Sequence, residues 1–163
     1  PFGQTRQTRQ PRSVYQMQLS FHDAVKGVEK KTVINGKEKS IKVPPGVSDG
    51  TRIRFNEFDI IVSILPDKRF SRKGQDVYYE HSISLTQAML GATISIPTVD
   101  KDVKVKVKPG TQSGSMLRLQ GQGIPYLNSS RKGDQYIQFK VTIPSKLSKK
   151  AKELMKEFEK EMS

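Results

Sequence analysis

The sequence predicts a mainly β protein: two tandem, similar small β domains with short capped helical turns, then a C-terminal amphipathic helix. Three observations predict it. Short runs of alternating apolar and polar residues recur between turn signals. The chain repeats itself, because a shift of 64 residues lays 20–55 on 84–119 without a gap. From 145 the pattern changes to helical spacing. A chain of 163 residues with 34% apolar content also suits two thin cores better than one deep one.

Each element follows from local signals. Residues 1–12 are polar, with Arg6, Arg9 and Arg12, and read as the end of a disordered linker. Positions 14–19 alternate as a half-buried strand. Ser20 can cap a short helical turn, with Asp23 in the acid position of a capping box and Gly27 as its left-handed stop. A strand over 28–34 meets Asn35-Gly36, a tight-hairpin signal, and returns over 39–43. Pro44-Pro45-Gly46 and Asp49-Gly50 are turns. Strands over 51–55 and 58–65 follow, and 66–74 reads as a loop.

The same grammar restarts at Asp76. A strand over 77–83 leads to a capping box, Ser84 to Gln87, and to Gly91. Strands follow over 93–96, 103–107, 116–119 and 136–143, with turns at Gly121-Gln122-Gly123 and Gly133-Asp134. Residues identical across the shift include Gly27 and Gly91, Pro45 and Pro109, Gly46 and Gly110, and Gly50 and Gly114. These are cap and turn positions, where backbone geometry narrows the choice. The expected organisation is a linker end over 1–12, a first domain over 13–66, a second over 75–144 and a helix over 145–163. In that helix Leu147, Ala151, Leu154, Met155, Phe158 and Met162 form one stripe. The stripe needs a cover, either the chain's own second domain or a helix from another chain.

Charge and chemistry narrow the function. Lysine and arginine number 29 against 16 acids, a net charge of +13 spread along the chain. Such a chain attracts anions: nucleic acid, anionic lipid or acidic protein tails. No apolar run approaches a membrane span. The absence of cysteine excludes disulfides, thiolate zinc sites and cysteine nucleophiles, and fits a reducing compartment such as the cytoplasm. His22 and His81 lack metal-type spacing, Asp100 and Asp102 flank Lys101 in a turn, and the glycine-rich segments lack a phosphate-loop context. The expectation is a protein with no catalytic residues, no metal and no cofactor.

Two features could bind something. Lys104, Lys106 and Lys108 alternate with Val103, Val105 and Val107, which puts three charges on one strand face. That face could track a phosphate backbone, though a solvated face that discourages edge aggregation is the simpler reading. Only one aromatic, Tyr126, occurs from 84 to 135, which argues against base stacking and against nucleic acid as partner. The second feature is an apolar surplus in the first domain. Tyr15, Met17 and Leu19 share one strand face, Thr32 and Ile34 another, and one helical turn is too little to cover both. An open apolar groove beside a free strand edge accepts an extended peptide by strand addition.

The motifs together resemble the C-terminal region of DnaJ-type heat-shock co-chaperones. They include Ser-Phe-His-Asp-Ala-Val-Lys-Gly-Val (20–28), Lys-Val-Pro-Pro-Gly-Val-Ser-Asp-Gly-Thr-Arg-Ile-Arg-Phe (42–55) and Phe-Ser-Arg-Lys-Gly-Gln-Asp-Val-Tyr-Tyr-Glu (70–80). Ile-Ser-Leu-Thr-Gln-Ala-Met-Leu-Gly-Ala (83–92), Lys-Pro-Gly-Thr-Gln-Ser-Gly (108–114) and Leu-Gln-Gly-Gln-Gly-Ile-Pro (119–125) continue the match in order. The resemblance implies two β-sandwich domains and a C-terminal helix that forms a homodimer through Leu154, Met155, Phe158 and Met162. The dimer would hold unfolded clients and deliver them to a DnaK-type ATPase. Clients would lie against Tyr15, Met17, Lys30, Thr32 and Ile34, with Ile61 contributing. Lys30 or Lys31 would pair with the acidic C-terminal tail of the ATPase partner.

The lack of cysteine places the resemblance with the zinc-free class, and no His-Pro-Asp loop of a J domain occurs in these residues. The sequence departs from the family at Thr32, where a larger apolar residue is commoner. It departs again between Phe55 and Asp59, where the family carries a longer glycine-rich loop. Replacing Met17 or Ile34 by serine should weaken client binding with the fold intact, and removing 145–163 should give a monomer. The alternative reading is a basic β-domain nucleic-acid-binding protein.

Overall fold

The computed structural model describes residues 12–163, so the linker-end reading, Arg12 apart, lies outside the described residues. The elements run β1 (Ser13–Leu19), α1 (Phe21–Lys26), β2 (Val28–Ile34), β3 (Lys37–Val43), β4 (Arg52–Arg54) and β5 (Phe58–Ile64). They continue with β6 (Phe70–Lys73), β7 (Asp76–Ser84), α2 (Leu85–Leu90), β8 (Ala92–Ile96), β9 (Val103–Val107), β10 (Met116–Leu119), β11 (Gln135–Thr142) and α3 (Lys149–Met162). The mainly β expectation holds.

The internal repeat is visible in the topology. β1, β5 and β4 form a three-stranded sheet in that order, faced by the β2–β3 hairpin; β10, β11, β7 and β6 form a four-stranded sheet, faced by the β8–β9 hairpin. In both halves the first and last strands pair in parallel, Ser13 opposite Phe58 in one and Val77 opposite Gln135 in the other. The first strands are 64 residues apart in the sequence and the last strands 77. The second half therefore carries a longer connection between β10 and β11. In the first half β4 turns into β5 through Asn56 and Glu57, closed by the Phe55 N–H donating to the Phe58 carbonyl at 2.9 Å.

The capping signals act as local physics requires. Ser84 Oγ accepts from the Gln87 N–H at 3.1 Å while Gln87 Oε1 accepts from the Ser84 N–H at 2.9 Å, a complete capping box. At α1 only half the box forms. Ser20 Oγ accepts from Asp23 N–H at 3.1 Å, and the Asp23 carboxylate turns instead toward Lys30, 3.9 Å away.

One sequence expectation changes. The segment over 66–74 read as a loop, but Phe70–Lys73 is a strand paired with Asp76–Tyr79. Asp67 Oδ1 accepts from the Arg69 and Phe70 N–H groups at 2.8 and 3.0 Å, which ends the loop early. Gly74, at φ +63°, then reverses the chain. Only Phe70 of this strand is buried, so its composition carries almost no alternation.

Three apolar clusters hold the molecule. Leu19, Ile34, Ile41, Ile60 and Val62 centre the first; Ile83, Ile96, Val107, Ile137 and Phe139 centre the second. The third joins the halves, with Phe21 and Val25 of α1 against Phe70, Val77, Val99 and Ile124. The Phe21 and Phe70 rings stack at 5.9 Å. Each fully buried side chain contributes about 1.5–3 kcal/mol.

Beside this cluster the half-buried Arg72 donates to the carbonyls of Val47 at 2.6 Å and Gly46 at 3.2 Å, while Gln75 Nε2 donates to the Pro125 carbonyl at 2.7 Å. Burial lowers the pKa of the Arg72 guanidinium. The backbone runs so close here that a Cβ on Gly46 would stand 2.1 Å from the Pro125 oxygen.

Candidate peptide-binding site

The groove lies between β1 and β2. In the three-stranded sheet β1 is an edge strand, and β2 is one side of a two-stranded hairpin. Each therefore presents unpaired backbone groups to the space between them. That space is a cavity of about 260 Å³ lined by Tyr15, Met17, Lys30, Thr32, Ile34 and Ile60, among others. It is smaller than the roughly 300–1,000 Å³ typical of small-molecule pockets. It suits a side chain of an extended segment, with main-chain pairing supplying the rest.

Strand periodicity positions each lining residue. Tyr15, Met17 and Leu19 point inward from β1 at every second position, as do Thr32 and Ile34 from β2. Met17 (8% exposed), Ile34 (1%) and Ile60 (1%) form the apolar floor. Tyr15 is fixed by an edge-on contact with the Phe58 ring at 6.0 Å and by its hydroxyl, which donates to Asn35 Oδ1 at 2.7 Å. Asn35 itself sits at φ +52° beside Gly36 at +73°, the two left-handed residues of a type I′ turn. The opposite end of the groove is spanned by Lys30, whose Nζ donates to the Gln18 carbonyl of β1 at 3.2 Å. Lys31 also borders the cavity, but its side chain is largely exposed and pairs with Glu38 at 4.0 Å.

The structure thus gathers Tyr15, Met17, Lys30, Thr32 and Ile34 around one cavity. Ile61 is not among its lining residues; Ile60 takes that place. The signal was present in the sequence, since Phe58, Ile60 and Val62 share one parity while Asp59 and Ser63 share the parity of Ile61. Ile34 also proves to be a core residue, so its replacement by serine would cost about 2–5 kcal/mol of stability. It cannot serve as a variant that leaves the fold intact, and Met17, also in the core cluster, shares part of that difficulty. Thr32, half-buried, is the cleaner probe.

Sequence reasoning missed two further groups. One is the Gln18 carbonyl. The other is Lys39, which guards the opposite edge of the hairpin: its Nζ lies 2.8 Å from Glu57 and 4.8 Å from the Phe58 ring centre.

The second half is built differently at the corresponding place. β6 pairs along Asp76–Tyr79, part of the edge that β1 leaves free. His81 stands where Met17 stands, next to the Tyr79 ring at 5.8 Å, and burial lowers its pKa. Ile94 replaces Lys30 and packs on the second core.

α3 buries none of its residues. Leu154, Met155, Phe158 and Met162 are 55%, 43%, 39% and 72% exposed, so the stripe is not covered by the chain's own β units. Ser148 Oγ caps the helix, accepting from the Ala151 N–H at 3.1 Å. Among the described residues no helix is long and apolar enough to cross a membrane, and no group of three metal-ligating side chains forms.

Comparison with known proteins agrees with this architecture. The family model described as DnaJ C terminal domain matches residues 13–144. Three similar proteins are each named Chaperone protein DnaJ. The one from Leptospira biflexa is 42% identical over 135 residues, 74% of this chain and 36% of its own length. The one from Xanthobacter autotrophicus is 42% identical over 138 residues, 76% and 36% respectively. The one from Clostridium perfringens is 39% identical over 132 residues, 73% and 34%. The chain spans about a third of the length of these relatives. It belongs to the DnaJ C-terminal domain family, a family of co-chaperones rather than enzymes.

Proposed function

We propose that this chain is the client-holding part of a zinc-free DnaJ-type co-chaperone. Extended apolar segments of unfolded clients lie between β1 and β2, and the homodimer formed through α3 presents two such grooves to one client. The acidic tail of a DnaK-type ATPase meets the chain at Lys30 and Lys31. The observation that carries this reading is two free strand edges facing each other across a cavity with an apolar floor, Met17, Ile34 and Ile60. Main-chain pairing is indifferent to sequence, and a small apolar cavity asks only for one suitable side chain. Together they give the tolerance that a chaperone needs.

Titration of a labelled apolar peptide tests the reading. Thr32→Asp places a charge in the groove and should weaken binding at least about tenfold, or 1.4 kcal/mol, while circular dichroism and the unfolding midpoint stay near those of the unaltered chain. Unchanged affinity in the folded variant would reject the groove.

A further inference from the structure

The two hairpins share one architecture and differ in charge. On the outer face of β2–β3, Glu29 stands opposite Lys42, Lys31 opposite Ser40 and Val33 opposite Glu38. Ser40 Oγ donates to Glu29 at 2.6 Å and Lys31 lies 4.0 Å from Glu38. Bases and acids balance on that face. On the outer face of β8–β9, Thr93 stands opposite Lys106 and Ser95 opposite Lys104, and Lys108 directly follows β9, held extended by the proline after it. All five side chains are exposed. None of the ion pairs among the described residues involves Lys104, Lys106 or Lys108.

We infer that the outer face of β8–β9 is a second binding surface, which takes the phosphate backbone of duplex nucleic acid through Lys104, Lys106 and Lys108. Alternate residues of a strand lie about 6.7 Å apart, so the row spans about 13 Å. Over that length a duplex presents about four phosphates on each strand. Lysine ammonium groups act as point charges suited to phosphate oxygens, and the neighbouring hydroxyls of Thr93 and Ser95 add sequence-independent donors.

The apolar residues of the hairpin, among them Ile96, Val105 and Val107, face the second core, so the face carries no apolar wedge for lipid. It has no arginine fork or enclosing pocket to single out a carboxylate. The scarcity of aromatics weighs against nucleic acid held by stacked bases and leaves duplex open, because contact with the duplex backbone uses no base.

The test is fluorescence anisotropy of a random-sequence DNA duplex with the whole chain over a salt series. Neutralising the row in K104Q/K106Q/K108Q should flatten the plot of log affinity against log salt by about 2.7. Between about 50 and 200 mM salt, the ratio of unaltered to variant affinity should then fall about 40-fold. K104R/K106R/K108R should retain binding. The control K37Q/K42Q/K68Q removes the same charge from exposed sites in and beside the first half and should leave most of the slope.

An equal loss in the control, or an unchanged slope in the β9 variant, would overturn the inference. So would retention on anionic vesicles or polyglutamate through these lysines without binding to the duplex. Peptide affinity of the β9 variant should match that of the unaltered chain, which separates this surface from the groove.

Discussion

Lys30 joins the two sides of the groove. Its stem lines the cavity from β2 and its ammonium group occupies the Gln18 carbonyl on β1, an acceptor that an incoming strand could use. A carboxylate drawing Lys30 away would free that acceptor. Lys30→Met should therefore strengthen binding of an uncharged apolar peptide, up to about tenfold for one released backbone acceptor. It should also reduce any preference for peptides ending in acidic residues, leaving only the share carried by Lys31. Paired titrations with and without the acidic end decide this, and equal losses for both peptides would show that Lys30 is only part of the wall.

Asp134 offers a second test at this scale. The Gly121 N–H donates to its Oδ1 at 2.8 Å, and Arg118 lies 2.6 Å from Oδ2. The hydrogen bond first, then Arg118, holds its pKa below the ordinary carboxylate value. Folding thus favours the ionised form. The contribution is present above the unfolded pKa, near 4, and is lost as pH falls through the lower folded one. Asp134→Asn should lower stability at neutral pH, and the gap to the unaltered chain should shrink on acidification from about pH 5 to 2. Denaturant unfolding across that range measures it. Parity made Tyr15, Met17 and Thr32 legible, whereas Ile34 as core and groove floor at once became visible only when the hairpin folded over the sheet.

Among the elements, the strands were readable wherever one face is buried, since burial forces alternation on the sequence. β6 escaped because it buries one residue and is fixed by Asp67, Gly74 and its pairing with β7. α3 was readable as a helix, but nothing in a periodic stripe says what covers it. Its apolar residues remain exposed in the single chain, which favours a cover from a second copy. If α3 forms the proposed homodimer, the whole chain should sediment as a dimer and a chain lacking residues 145–163 as a monomer, with peptide affinity per groove unchanged. A truncated chain that still sediments as a dimer would move the interface elsewhere.

At the scale of the whole molecule, the third apolar cluster and the contacts of Arg72 and Gln75 join the two halves, so they should unfold in one transition. Phe70→Ala should cost about 3–5 kcal/mol and split a single thermal transition into two. Gly46→Ala should destabilise more than Gly50→Ala. Both glycines have positive φ, but only at Gly46 does a Cβ meet the neighbouring backbone, at 2.1 Å. The repeat announced two similar units, while their joint depends on Val99 and Ile124, which lie outside every strand and helix that the sequence predicts.

The parallel pairing of β1 with β5 and of β7 with β11 also orders events during synthesis. Neither sheet can close until its last strand has left the ribosome, because the strand beside it was made first. The groove-bearing half is complete once Ile64 is exposed, while β7 must wait for Thr142. For that interval a nascent chain has a finished groove beside an unfinished neighbour whose apolar strands are still extended and unpaired.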